Sequence, residues 1–404
     1  MNFNNLRVSA VPLRDADLFG GQKNTDIESL RGIAIVFVML DHGLAFWPNP
    51  AVQRLTSDFV SFWGGVDIFF AISGYVIMAS ILRSMPAVDG PAARAAQFGG
   101  FWIKRVWRLW PSAWLWLLVP AALALGLDVL SGTGLSGARG VAASVLSGVL
   151  NLVNFQQWAA NSGHGIPAQL SSQYWSLALE EQFYLAISLA VLASPSRHVA
   201  RNIAIVAAGL ILLQFPLKRP ANSSDLFWFI RSDALAWGVL IALLARTEVY
   251  RYLEPTFLHR KRYALPFLLV MVMGIAATQM MYFIDFYVGL IAMMSGALVF
   301  VASFNKSYLG IAGRTLTILN YIGDRSYSLY LISGPAQQFL AHLIAPSMSV
   351  RRNILLNMLI ILVSIGLAEL NFRVVEAPLR LRGRASAQFY QQRMSVGLHS
   401  IGIR

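Results

Sequence analysis

The chain of 404 residues contains no cysteine. Disulfides, thiolate catalysis and cysteine metal sites are therefore excluded. Charge is also scarce, at 13% of residues, against about 25% in a soluble domain. The six histidines are His42, His164, His198, His259, His342 and His399, and none stands in an HExxH or other tight ligand spacing. A metal site is not expected. The first 26 residues are polar and lack an apolar core, so they do not read as a cleaved signal peptide. What the chain does have is apolar surface: 56% hydrophobic residues and a mean hydropathy of +0.57, which is the composition of a membrane protein. The net charge of +13 sits in short loops between apolar segments. That placement argues against a nucleic-acid partner.

Apolar stretches fall at 31–48, 60–83, 106–127, 140–158, 174–194, 202–217, 226–245, 264–282, 284–304, 319–345 and 353–372. If all eleven crossed, the basic loops at 195–201 and 246–263 would lie outside, against the positive-inside rule. If 140–158 instead enters the membrane and returns, cytoplasmic segments hold 23 Lys and Arg and outer loops 6. The expected fold is therefore all-α: a polytopic membrane protein of about ten transmembrane helices plus one re-entrant or interfacial helix, both termini cytoplasmic. Re-entrant backbone needs a protein or wet surrounding, and Asn151, Asn154 and the sequence FQQW suit one. The polar loop 159–173 is expected to face an acceptor. No internal repeat of the inverted-repeat transporters is evident.

Several polar residues lie within or beside these segments. Arg31 and His42 are eleven apart, so on a helix they share a face and stand ~16.5 Å apart along the axis. An ionisable group inside a bilayer marks a functional site by default, although Arg31 at a helix end can also snorkel to the headgroups. Asp67 in SFWGGVDIFF needs a partner or a proton, and His42 is one candidate. Arg105 and Arg108 in FWIKRVWRLWP share a helix face. They suit either a phosphate clamp or an anchor for anionic lipid. Ser176, Glu180 and Tyr184 recur every four residues, with Glu181 displaced by ~100°. Arg231 and Asp233 are two apart, so each is expected to pair with a different helix. Asp324, Arg325 and Tyr327 add to a polar interior spread over several helices.

In this order the segments resemble the membrane-bound acyltransferase family 3, in a form without the soluble esterase-like domain that some relatives carry. The resemblance spans about residues 26–383 and rests on Arg31 followed by ten residues and His42, GGVDIFFAISGY with Asp67, Arg105 with Arg108, QYWSLALEEQFY with Trp175, Ser176 and Glu180, RSDALAWG with Arg231 and Asp233, and SYSLYLISGP. It implies a membrane domain over 26–383, flanked by cytoplasmic segments at 1–25 and 384–404. It further implies an O-acyltransferase of the bacterial inner membrane that moves an acyl group, usually acetyl, from acyl-CoA to a hydroxyl of a glycan or glycolipid, alongside glycan-assembly proteins. His42 becomes the general base, with Arg31, Asp67 and Glu180 as catalytic partners and Arg105, Arg108, Ser176, Trp175, Arg231 and Asp233 as binding residues. Asp67 or Asp41 would fix the His42 tautomer. An acyl-His intermediate and a flippase of lipid-linked saccharides stay open as alternatives. Many relatives have His where this chain has Ser333, which places the base work on His42 alone.

Overall fold

The computed structural model describes residues 23–45, 49–85, 90–131, 137–167, 170–194, 196–220, 224–344 and 349–400. Among the described residues every regular element is helical; one isolated bridge joins Ser61 to Ala277. We label the α-helices α1 (Thr25–Ala45), α2 (Pro50–Asp58), α3 (Gly65–Arg83), α4 (Pro91–Ser131), α5 (Ala138–Val149), α6 (Val153–Asn161), α7 (Tyr174–Ala193), α8 (Val199–Gln214), α9 (Leu226–Phe229), α10 (Asp233–Leu244), α11 (Glu248–Tyr252), α12 (Lys261–Ala276), α13 (Tyr287–Ser303), α14 (Gly313–Asp324), α15 (Ser326–Ile344), α16 (Val350–Asn371) and α17 (Ala377–Ser400). Among the described residues, four stretches are long and apolar enough to cross a membrane: Gly65–Arg83, Ala93–Gly126, Tyr174–Ala193 and Val350–Met394.

The start of α1 shows how local chemistry sets an element. The Asn24 side chain accepts the Ile27 backbone N–H at 3.0 Å, an N-cap, and Asp26 and Glu28 in the first turn complement the helix dipole. Two glycine-lined pairs hold the bundle centre. A Cβ at Gly74 of α3 would collide with the Leu235 carbonyl of α10, and one at Gly238 of α10 with the Ala71 carbonyl of α3. Likewise Gly32 of α1 meets the Leu319 carbonyl of α14, and Gly323 of α14 meets the Glu28 carbonyl of α1. In lipid, where apolar surface gains little by leaving its solvent, such close backbone approach is a main source of helix association.

Three apolar runs are broken where hydropathy reads them as continuous. The run 140–158 is a helix, a turn and a helix: Asn151 has φ 53°, a left-handed conformation that Asn tolerates. Neither the 12-residue α5 nor the 9-residue α6 reaches across ~30 Å of hydrocarbon at 1.5 Å per residue. The run 226–245 unwinds between α9 and α10. Gln214 satisfies the freed backbone by accepting the Ser232 N–H at 2.9 Å and donating to its hydroxyl at 3.2 Å. The run 319–345 breaks at Arg325, between α14 and α15. The boundary expected at 383/384 falls inside continuous α17, which packs along α4; a five-residue π turn at Phe372–Glu376 joins it to α16.

Candidate functional site

Two large cavities enter the bundle among the described residues. One, of about 720 Å³, is lined by Asp41 and His42 of α1, Trp63, Gln157 and Asn161 of α6, Gln173, Trp175, Trp228 and Arg231. The other, of about 700 Å³, is lined by Arg31 of α1, Arg105 and Arg108 of α4, Ser176 and Glu180 of α7, and Arg380 and Arg384 of α17. Val66 and Tyr330 line both, so a wall about one side chain thick separates them. The Tyr330 hydroxyl donates to the Gln173 carbonyl at 2.7 Å and stands 2.5 Å from the Ser176 hydroxyl. Arg31 and His42 thus share α1 and serve opposite chambers.

The arginine cavity carries seven cationic side chains against four carboxylates, an excess that favours an anion. The Arg105 guanidinium lies 3.5 Å over the Tyr184 ring, with its Nε 3.6 Å from Glu181. Glu180 accepts from Ser73 at 3.0 Å and from Tyr184 at 2.7 Å, so its charge is solvated by hydroxyls. Arg31 pairs with Glu28 at 3.0 Å. The Nε atoms of Arg105, Arg108 and Arg380 are buried without a hydrogen-bond partner. Buried donors of this kind are expected to find partners, and a bound anion would supply them.

In the histidine cavity, His42 Nδ1 and Trp63 Nε1 are buried and unpartnered, as is the amide nitrogen of Gln173. Neither acid expected to fix the imidazole is hydrogen-bonded to it. Asp41 accepts from the Phe62 N–H at 3.0 Å and the Ser61 hydroxyl at 3.3 Å. Asp67 pairs with Arg231 through contacts of 3.3 and 3.4 Å, both residues being 0% exposed. Three indoles surround Arg231, with Trp228, Trp175 and Trp63 centred 3.8, 4.6 and 5.1 Å from its guanidinium carbon. The two-residue spacing of Arg231 and Asp233 sends them to different partners, since Asp233 meets Arg219 at 2.6 Å.

Some expected positions differ. Asp233 lines neither cavity, and Arg219, counted above among outer-loop cations, is fully buried. Asn154 does not line the histidine cavity; it exchanges amide hydrogen bonds with Gln182 at 3.0 and 3.1 Å, while Gln182 also donates to the Asn151 carbonyl at 2.8 Å. This clamp seats the α5–α6 turn on α7. The polar lining comes instead from Gln157 and Asn161, with Pro167, Ser172 and Gln173 from the following loop; residues 168 and 169 lie outside the described residues. Ser333 is buried with an unpartnered hydroxyl and lines neither cavity. Sequence reasoning missed Tyr330, Trp63, Trp228, Arg380 and Arg384. The aromatic residues stand in apolar runs that give them no distinguishing signal; Arg384 fell in the expected cytoplasmic tail at 384–404, and Arg380 in the expected membrane domain with no role assigned. No group of His, Asp or Glu suited to a metal ion occurs among the described residues.

A family model described as an acyltransferase domain matches residues 24–369. YrhL of Bacillus subtilis (strain 168) is 26% identical over 380 residues, covering 88% of this chain and 55% of YrhL. The peptidoglycan O-acetyltransferase OatA of Listeria monocytogenes is 26% identical over 383 residues, covering 88% of this chain and 56% of OatA. The O-acetyltransferase OatA of Staphylococcus aureus (strain MRSA252) is 24% identical over 395 residues, covering 91% and 59%. The chain spans a little over half the length of these relatives. No solved structure matches it.

Proposed function

The chain belongs to the acyltransferase family whose domain it matches over residues 24–369, and from that premise we propose that it is a plasma-membrane O-acyltransferase of bacteria. It moves an acyl group, acetyl by analogy with the relatives, from acyl-CoA to a hydroxyl of a glycan or glycolipid. The proposal includes ten crossings with both termini cytoplasmic and residues 26–383 as the membrane domain. The arginine cavity then opens to the cytoplasm and the histidine cavity to the opposite side.

The observation that carries this reading is the shared wall at Val66 and Tyr330, with cations on one side and His42 on the other. The CoA phosphates rest against Arg105 and Arg108, whose planar forks suit phosphate oxygens. The acyl-bearing arm runs towards Ser176 and Tyr330. Rotation of the Tyr330 side chain joins the chambers. His42 Nδ1, buried and unpartnered, takes the proton of the acceptor hydroxyl. The oxygen then forms its bond to the thioester carbonyl carbon, the carbon–sulfur bond breaks, and the CoA thiolate leaves and recovers a proton. Trp63 and Trp175 offer apolar ring faces to the acceptor, and Gln157, Asn161 and Gln173 offer it amides. Asp67, paired with Arg231, positions the Trp63–Trp175–Trp228 wall. Its role is distinct from that expected at the tautomer of His42.

The test is His42→Ala. Transfer to the acceptor, read by mass spectrometry of surface glycans, should fall by ~10²–10⁴-fold while the protein still inserts and accumulates. Near-normal transfer would sink the assignment. Acyl-CoA binding by the purified protein separates this reading from a flippase of lipid-linked saccharides, which needs no thioester.

A further inference from the structure

Helix α17 lies beyond the matched range 24–369, yet it gives two cations, Arg380 and Arg384, to the arginine cavity. Their four-residue spacing puts them on one helix face. The helix is fixed in place along α4 by small residues. Gly383 of α17 abuts the Trp107 ring, while Gly99 and Gly100 of α4 abut Tyr390 and Gln391. The two arginines therefore occupy defined positions.

The cations in and beside the cavity sort into two groups. Arg108 lies within electrostatic reach of Arg31, Arg105 and Arg380. Lys104 lies instead within reach of Arg83 and Arg384. The first group is half-buried, and the Nε atoms of Arg108 and Arg380 in it have no hydrogen-bond partner, while that of Arg105 faces Glu181 at 3.6 Å. In the second, Arg83, the last residue of α3, and Arg384 of α17 line the cavity and are exposed, while half-buried Lys104 of α4 does not itself line it. One group is deep and the other rings the mouth.

Coenzyme A has the same division of charge. Its diphosphate joins the pantetheine arm to the ribose, and a separate 3′-phosphate hangs from that ribose. We propose that the deep group holds the diphosphate and that Arg384, with Arg83 and Lys104, binds the 3′-phosphate at the mouth. This inference rests on the acyl-CoA reading above and deepens it. A phosphate monoester carries ≈ −1.5 to −2 charge at neutral pH and keeps much of its hydration at an exposed site, which suits the rim. The same rim chemistry would attract the phosphate of an anionic lipid, so the test separates the two sources.

The purified protein is placed in nanodiscs of phosphatidylcholine and titrated with CoA and with 3′-dephospho-CoA. The unaltered protein should bind CoA about tenfold more tightly, the worth of a charge-assisted phosphate contact. In Lys104→Ala with Arg384→Ala that ratio should fall towards one, with binding of 3′-dephospho-CoA unchanged. Arg105→Ala with Arg108→Ala should weaken both ligands and keep the ratio. Arg384→Lys should retain part of the preference. Equal binding of the two ligands by the unaltered protein overturns the proposal, as does a ratio that survives in Lys104→Ala with Arg384→Ala. A surviving ratio together with loss of preference for phosphatidylglycerol nanodiscs makes the rim a lipid anchor instead. If neither ligand binds the unaltered protein, the acyl-CoA reading itself fails and this inference falls with it.

Discussion

The buried pair of Asp67 and Arg231 allows a prediction with a calculable size. At 3.3 Å two unit charges attract by about 5 kcal/mol for an effective dielectric constant of about 20. Removing one partner of such a pair typically costs ~3–5 kcal/mol, because the other is left charged and dry. The two halves are not equivalent. Arg231 without Asp67 keeps the faces of three indoles, each worth about 0.5–2 kcal/mol, and the Trp228 carbonyl at 3.2 Å. Asp67 without Arg231 keeps no other hydrogen-bond donor among the described residues. Arg231→Met should therefore destabilise by about 4 kcal/mol and Asp67→Asn by about half as much. The variant with both substitutions should lose about 2 kcal/mol less than the sum. Reversible unfolding in mixed micelles, followed by tryptophan fluorescence, gives all three values. Losses that add to within about 0.5 kcal/mol would show that the two residues do not act as a pair.

The remaining predictions concern donor and topology. Arg105→Ala with Arg108→Ala should weaken acyl-CoA binding more than acceptor binding, and lysine replacements should rescue only part, since an ammonium lacks the bidentate fork; unchanged donor affinity in a titration would make the pair a lipid anchor. Segment 140–158 should not cross, so single cysteines at positions 128 and 164 of the cysteine-free chain should both be labelled by an impermeant thiol reagent from outside. Labelling from opposite sides would overturn the ten-crossing arrangement.

The buried polar groups of the site were legible in the sequence because charge is conspicuous in apolar runs. Arg31, Arg105, Arg108, Glu180 and Ser176 do line one cavity. Their grouping was not legible, because it depends on contacts far apart in the chain: Asp67 and Arg231 are 164 residues apart. The unwound turn at Arg231 was hidden because hydropathy averages over three residues, and its cause is the Gln214 side chain on another helix. Arg219 read as a loop cation because the KRP sequence is polar, whereas Asp233 draws it inside. The part of α17 from residue 384 onward read as a tail because its sequence is polar. It packs along α4, a contact between segments far apart in the chain that hydropathy does not record.

The interlocking glycines of α3 with α10 and of α1 with α14 have a mechanical consequence. A carrier that alternates its openings must slide or tilt one half of its bundle against the other. Here both pairs are keyed, each glycine seating a carbonyl of its partner, so sliding either pair by a residue would drive a side chain into backbone. α1 carries Arg31 and His42, and α3 carries Asp67, so these residues stand on struts that keep their separation. Passage between the chambers is then left to small parts, such as the Tyr330 ring. A rigid frame of that kind suits the handing on of a group of a few atoms, as in the proposed acyl transfer, better than the passage of a whole saccharide.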